Sequence, residues 1–132
     1  MANDTTAQKV IEGGTPTVFV SNMDRAVAFY TDTLGLKLVG RFGDEYASVD
    51  AGRGFRIGLH PSGPRSPKPG TPGSIQISFG VHGKIDDVVD ELTRRGVSFR
   101  GPIIDDDPVK LAFFTDPDGN ELYLCEYMGG PC

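Results

Sequence analysis

The sequence predicts an α+β protein made of two βαβββ modules, and three observations carry that expectation. Two stretches, near 22–34 and 83–95, show an apolar stripe at helical spacing. Each is preceded by one β-prone run and followed by three, with apolar and polar residues alternating inside the runs. Between the two copies lies 61–73, PSGPRSPKPGTPG, which holds no large apolar residue and reads as a linker. A helix with one apolar stripe must cover the apolar face of its own strands. Each module therefore leaves the other face of its sheet open. Two such sheets side by side form a curved mixed sheet around a cleft, with the helices outside.

Residues 1–13 read as a flexible N-terminal tail and 129–132 as a C-terminal tail. The single folded domain is expected at 14–128, with module one at 14–60 and module two at 74–128. In 15–20, TPTVFV, Val18 and Val20 share one face and Thr15, Thr17 and Phe19 the other. Ser21 or Asn22 caps a helix that runs to Leu34, striped by Ala26, Val27, Tyr30 and Leu34 and stopped at Gly35. Strands are expected at 36–41, 45–50 and 54–60, separated by Gly43-Asp44 and Ala51-Gly52. Module two repeats the order. A strand at 74–81 carries Ile75, Ile77 and Phe79 on one face, and a helix carries Ile85, Val88, Val89 and Leu92 before Gly96. Strands follow at 97–100, 109–115 and 120–127. Asp116-Pro117-Asp118-Gly119 supplies the last turn, with Pro presetting φ and Gly tolerating a positive one.

Composition narrows the function. The net charge of −5 argues against nonspecific nucleic-acid binding; it would mildly favour cationic small molecules, although an acidic balance is also the commonest way for a protein to stay soluble. No apolar run approaches the roughly 20 residues of a membrane helix, and the first residues lack the order of a signal peptide, so a cytoplasmic location is expected. In a reducing compartment Cys125 and Cys132 are expected as free thiols, and neither has a CxxC neighbourhood that would hold zinc. With no histidine near it in its strand, Cys125 reads as a buried small residue and not a nucleophile. No phosphate-binding loop, dinucleotide glycine pattern or nucleophile elbow is present.

Strand parity then names the residues that face the cleft. Thr15, Thr17 and Phe19 come from the first strand; Arg56, Gly58 and His60 from the fourth; Ser74, Gln76 and Ser78 from the fifth; Glu121, Tyr123 and Cys125 from the last. The set is polar and varied, as a surface that receives a small molecule would be. Arg56 and Glu121 stand on opposite modules, where they either pair with each other or hold opposite ends of a polar ligand. His60 is a solvent-exposed rim residue, or else a ligand contact or general base. Phe113 and Phe114 point to opposite faces, one to the core and one to the cleft. His82 reads as a surface residue ahead of the second helix, and Asp105-Asp106-Asp107 as a solvated turn before Pro108.

Three segments resemble the vicinal oxygen chelate superfamily, which includes glyoxalase I, extradiol dioxygenases, fosfomycin-resistance enzymes and bleomycin-resistance proteins. FVSNMDRAVAFYTDTLGLKLV (19–39) is similar to that family's first strand and helix, DDVVDELTRRGVSF (86–99) to its second helix, and DPDGNELYLCE (116–126) to its hairpin and last strand. The resemblance implies the two-module fold, a homodimer, and a ligand cleft that in many members binds a divalent metal through His, Gln or Glu. Its four ligand positions fall on Thr15, Gly58, Ser74 and Tyr123, none of them an ordinary ligand for a catalytic transition metal. A shift of two residues brings in only His60 and Glu121. The expectation is therefore a protein with no metal, no cofactor and no catalytic residue assigned. It would bind a small molecule, cationic or aromatic, through Thr15, Thr17, Phe19, Arg56, His60, Ser74, Gln76, Glu121 and Tyr123, as the bleomycin-resistance branch does. A lyase, isomerase or dioxygenase of the same superfamily is the alternative. Neither nucleic acid nor membrane is expected as a partner.

Overall fold

The computed structural model describes residues 10 and 15–128. Along the chain come β1 (Thr17–Val20), α1 (Met23–Ala28) continuing into a π-helical turn (Phe29–Thr33), β2 (Lys37–Phe42), β3 (Tyr46–Gly52) and β4 (Phe55–Pro61). Then follow β5 (Gln76–Gly80), α2 (Ile85–Arg94), β6 (Ile104–Asp106), β7 (Val109–Thr115) and β8 (Glu121–Tyr127). They form two four-stranded sheets, ordered β1-β4-β3-β2 and β5-β8-β7-β6. In both sheets the first strand runs parallel to the last, and the remaining pairs are antiparallel. The repeat read from the sequence is therefore a repeat of topology. The tails at 1–9, 11–14 and 129–132 lie outside the described residues.

Alternation places the core as expected. Val18, Val20, Ala47, Val49, Ile57 and Leu59 pack with Met23, Ala26 and Tyr30. Ile77, Ala112, Phe114, Leu122 and Leu124 pack with Ile85 and Leu92, and the whole set is one contiguous buried cluster. Burying each large side chain contributes about 1.5–3 kcal/mol. Asn22 is the cap of α1, its Oδ1 accepting the Arg25 amide at 2.9 Å. Lys84 gives α2 no side-chain cap. The Ile85 amide instead donates to the Glu126 carboxylate at 2.7 Å, which ties α2 to β8.

Several expectations are corrected. The strand at 97–100 does not form; Phe99 makes only an isolated bridge to Phe114. The reason is the end of α2. Gly96 takes φ +96, its amide bonds the Thr93 carbonyl at 3.0 Å, and the Val97 amide bonds the Leu92 carbonyl at 2.9 Å. That paired pattern closes a helix and uses the backbone that would have begun a strand. The edge strand is β6 instead, so Asp105 and Asp106 lie in an exposed strand and not in a turn. Acidic side chains on an edge discourage pairing with another sheet. Between β3 and β4 the turn is Arg53-Gly54, both with positive φ (56° and 79°), and not Ala51-Gly52; positive φ at both central positions suits a two-residue hairpin. Cys125 is buried and disulfide-bonded, which overturns the free thiol. Compartment and composition, the grounds for that expectation, carry no information on which sulfurs meet in space.

The modules meet at the last turn. Asp116 is buried and accepts at Oδ1 from the Asp118 and Asn120 amides (3.0 and 2.8 Å), and at Oδ2 from Asn120 Nδ2 (2.8 Å) and the Tyr30 hydroxyl (2.9 Å). Burial, and then the Asp116 carboxylate beside it, pushes the Tyr30 hydroxyl well above the usual tyrosine range. Asn120 Nδ2 also donates to the Phe19 carbonyl at 3.2 Å, and its Oδ1 accepts the Gly70 amide at 3.0 Å. Asp118 accepts from the Ser21 amide at 3.1 Å, from the Ser21 hydroxyl, and from Arg25 at 3.3 Å. The tip of module two is thereby seated on the corner between β1 and α1. The linker crosses over it: a Cβ on Gly70 would stand 1.9 Å from the Asp118 carbonyl oxygen. A second tie joins Arg95 Nη1 to the Thr33 carbonyl at 3.0 Å.

Candidate small-molecule site

With α1 and α2 each packed on one side of its own sheet, no other helix among the described residues covers the opposite side. On the first sheet its side chains fall into three cross-strand rows. The middle row is Thr17, Gly58, Ser48 and Gly40, matched in register on β1, β4, β3 and β2. On one side of it stands an aromatic row. Phe19 is level with His60, Tyr46 follows by continuation of the Ala47–Leu59 pairing, and Phe42 is level with Tyr46. On the other side stand Arg56, Asp50 and Lys37. His60 is exposed, its ring edge-on to Phe19 at 5.8 Å, and its Nδ1 donates to the Pro61 carbonyl at 2.8 Å. That contact uses Nδ1 and leaves Nε2 as the nitrogen without a hydrogen-bond partner among the described residues.

Tyr46 leans from its own row over Gly58. A Cβ built on Gly58 would lie 2.7 Å from the Tyr46 hydroxyl oxygen. Any side chain at 58, a metal ligand included, would contend with that ring. Among the described residues the Tyr46 hydroxyl has no hydrogen-bond partner, and Arg56 and Lys37 have no ion-pair partner. The Asp50 carboxylate is engaged by the Gly52 amide at 2.6 Å.

The second sheet's open face is more closed on itself. Gln76 is level with Glu121, and Ser78 with Tyr123. Phe113 stacks on Tyr123, ring centroids 4.9 Å apart, while Phe114 is buried, so the two phenylalanines divide between the faces as expected. Glu121 does not pair with Arg56. Its carboxylate accepts from Arg100 at 2.6 Å, and the Arg100 guanidinium also lies 5.1 Å from the Phe113 ring centre.

The nine candidate residues do not line one cavity. Thr17, Phe19 and Ser74 border a hollow of about 130 Å³ with Lys68 and Asn120. Gln76 borders a wider depression of about 430 Å³ with Pro16, Phe55, Ile75, Ile77 and Ser78. Thr15 is exposed ahead of β1. The Ser74 hydroxyl is turned to the Thr71 carbonyl at 2.7 Å. Arg56 and His60 stand on the open face of the first sheet, Glu121 and Tyr123 on that of the second. The residues at the metal positions do not fit an ion: Thr15 and Ser74 are hydroxyls, Gly58 is covered by Tyr46, and Tyr123 is stacked. Among the described residues no three His, Cys, Asp or Glu side chains converge. Two participants escaped the sequence reading. Tyr46 carries the cleft parity of β3, and the alternation of that strand is the signal that finds it. Arg100 comes from the loop after α2 and gave no local signal.

A family model described as the Glyoxalase/Bleomycin resistance protein/Dioxygenase superfamily matches residues 14–124. A virulence protein of Salmonella typhimurium, STM3117, is 28% identical over 117 residues, covering 83% of this chain and 79% of that protein. Among solved structures, a superfamily member from Sphaerobacter thermophilus superposes with a TM-score of 0.74 at 28% identity, covering 89% of this chain and 98% of that one. TnmS3, an antibiotic binding protein from Streptomyces sp. CB03234, superposes with a TM-score of 0.75 at 26% identity, covering 92% and 99%.

Proposed function

Since the chain belongs to the Glyoxalase/Bleomycin resistance protein/Dioxygenase superfamily, we propose that it is a metal-free member that binds a small molecule on its open sheet faces, in the manner of a resistance or sequestration protein. The observation that carries this reading is Tyr46 lying across Gly58, which puts an aromatic hydroxyl where a coordinating side chain would project. The antibiotic-binding description of TnmS3 supports it. Binding of this kind needs a shaped surface with hydrogen-bonding and aromatic groups and no reacting centre.

The test is a thermal-shift series on purified protein, with and without EDTA, Mn²⁺, Ni²⁺ and Zn²⁺, against aromatic antibiotics, thiol adducts and catechols. Chelator should leave Tm unchanged, and a bound compound should raise it with concentration by mass action. About one tightly held divalent ion per chain in elemental analysis would overturn the reading.

His60 favours a second reading, a lyase, isomerase or dioxygenase of the same superfamily, because it is exposed on the open face with Nδ1 held by the Pro61 carbonyl and Nε2 left to meet a bound compound. Turnover of a bound compound that is lost in His60→Gln, with binding retained, would select it. The superfamily's habit of completing its cleft with a second chain supports a homodimer, which light scattering on the eluting protein tests.

A further inference from the structure

The rows on the first sheet point to a ligand class. We propose that this face binds a flat two- or three-ring aromatic molecule carrying an anionic group at one end. The proposal rests on the metal-free binding reading and sharpens it. The aromatic row of Phe19, His60 and Tyr46 offers ring faces and edges to a planar molecule. The middle row is small: Gly40 gives no side chain and Ser48 and Thr17 short ones, while the space over Gly58 is filled by the end of the Tyr46 ring, so a flat body can lie on that ring and close to the backbone beyond it. The far row supplies the charge. Arg56 and Lys37 are exposed and without ion pairs among the described residues, while the Asp50 carboxylate between them is taken by a backbone amide. The local balance is therefore positive on a chain whose net charge is −5. His60 and Arg56 are four residues apart on β4, about 13 Å along a strand, which is the span of two or three fused rings with a carboxylate. The Tyr46 hydroxyl over Gly58 lies between the rows with its donor unspent, placed to meet the same anion. A guanidinium and a hydroxyl converging on a carboxylate make charge-assisted bonds, the stronger kind. This reverses the cationic preference inferred from net charge alone.

The experiment uses three matched probes on EDTA-treated protein: 2-naphthoate, 2-naphthamide and 2-naphthylmethylammonium, followed by calorimetry and by amide chemical shifts. 2-Naphthoate should bind at least tenfold more tightly than the amide, with the ammonium compound weakest. Shifts should concentrate on β3 and β4. Arg56→Gln should cut naphthoate affinity about tenfold and leave naphthamide affinity unchanged. Lys37→Gln should do the same to a smaller degree. Both sites are exposed, and an unchanged Tm will certify that the variants are folded. Equal affinity for the three probes, wild-type naphthoate binding in Arg56→Gln, or shifts confined to β7 and β8 would each overturn the proposal. If the ammonium probe binds best, metal-free binding stands and this ligand class falls. If any probe binds only after Zn²⁺ or Mn²⁺ is restored, the metal-free reading itself falls.

Discussion

Gly58 and Tyr46 are best understood as a pair. The glycine has ordinary strand dihedrals, so its value lies in the absent side chain and not in backbone freedom. Gly58→Ala would force the Tyr46 hydroxyl end aside by several tenths of an ångström, and a side chain tip can yield. In urea denaturation the substitution should cost about 1 kcal/mol in the wild-type background and less in Tyr46→Ala, a coupling of about 0.5–1 kcal/mol between contacting residues. Equal cost in both backgrounds would mean the ring does not rest on residue 58. Tyr30 makes a different residue-scale statement. Its hydroxyl donates to the buried Asp116 carboxylate, so Tyr30→Phe should cost about 2 kcal/mol near neutral pH. Because burial and Asp116 hold its pKa above the unfolded value of about 10, the bond is fully present below pH 10. As pH rises past 10 the unfolded chain ionises first and stability is lost. The gap between wild type and Tyr30→Phe should therefore hold up to about pH 10 and narrow above it; a constant gap would contradict this placement of the hydroxyl.

At the scale of elements, the sequence made strands and helices legible wherever one face is buried. Val18/Val20, Ile57/Leu59 and Leu122/Leu124 declare both the strand and its core side. The misses share one cause, a partner distant in sequence. Residues 97–100 have β-prone composition, but the backbone is committed to the stop of α2. Glu126 looks like a surface strand residue and is the cap of α2. The linker looks structureless, yet it is pinned where Gly70 passes the Asp118 carbonyl with φ +80. Gly70→Ala meets both backbone strain and a backbone clash. It should destabilise by about 2–4 kcal/mol, with hydrogen exchange rising first in the 67–75 segment and the 116–120 turn. A near-neutral result would show that the linker does not lie over the turn.

On the scale of the whole molecule, two sheets share one buried cluster, and the ties between them gather at a five-residue turn. The resemblance that named the family used DPDG as a hairpin signature, but pattern alone did not say that its acid groups reach into the other module. The sheet faces turned away from the helices were legible by parity, whereas the Arg100–Glu121 pair was not, because it joins a loop to a strand through space. Asn120→Ala would remove in one step one of the four donors to Asp116 and the side-chain partners of the Phe19 carbonyl and the Gly70 amide. It should cost about 3 kcal/mol and split the unfolding of the two modules, so that probes in β3 and β7 cease to coincide. Coincident transitions in that variant would place the coupling in the shared core instead.

The bond from the Gly70 amide to Asn120 has one more consequence, in the statistics of the chain. Anchored part-way, the connection between β4 and β5 behaves as two short tethers and not as one long one. Loop-closure entropy grows only logarithmically, about 0.6 kcal/mol per doubling, so the first tether, from β4 to Gly70, can lengthen at little cost while the second, from Gly70 into β5, keeps its length. A reporter peptide spliced beside the exposed Arg65 would enlarge an already closed ring at little thermodynamic cost. It would also leave the register of both sheets to be set, as before, by the anchor downstream.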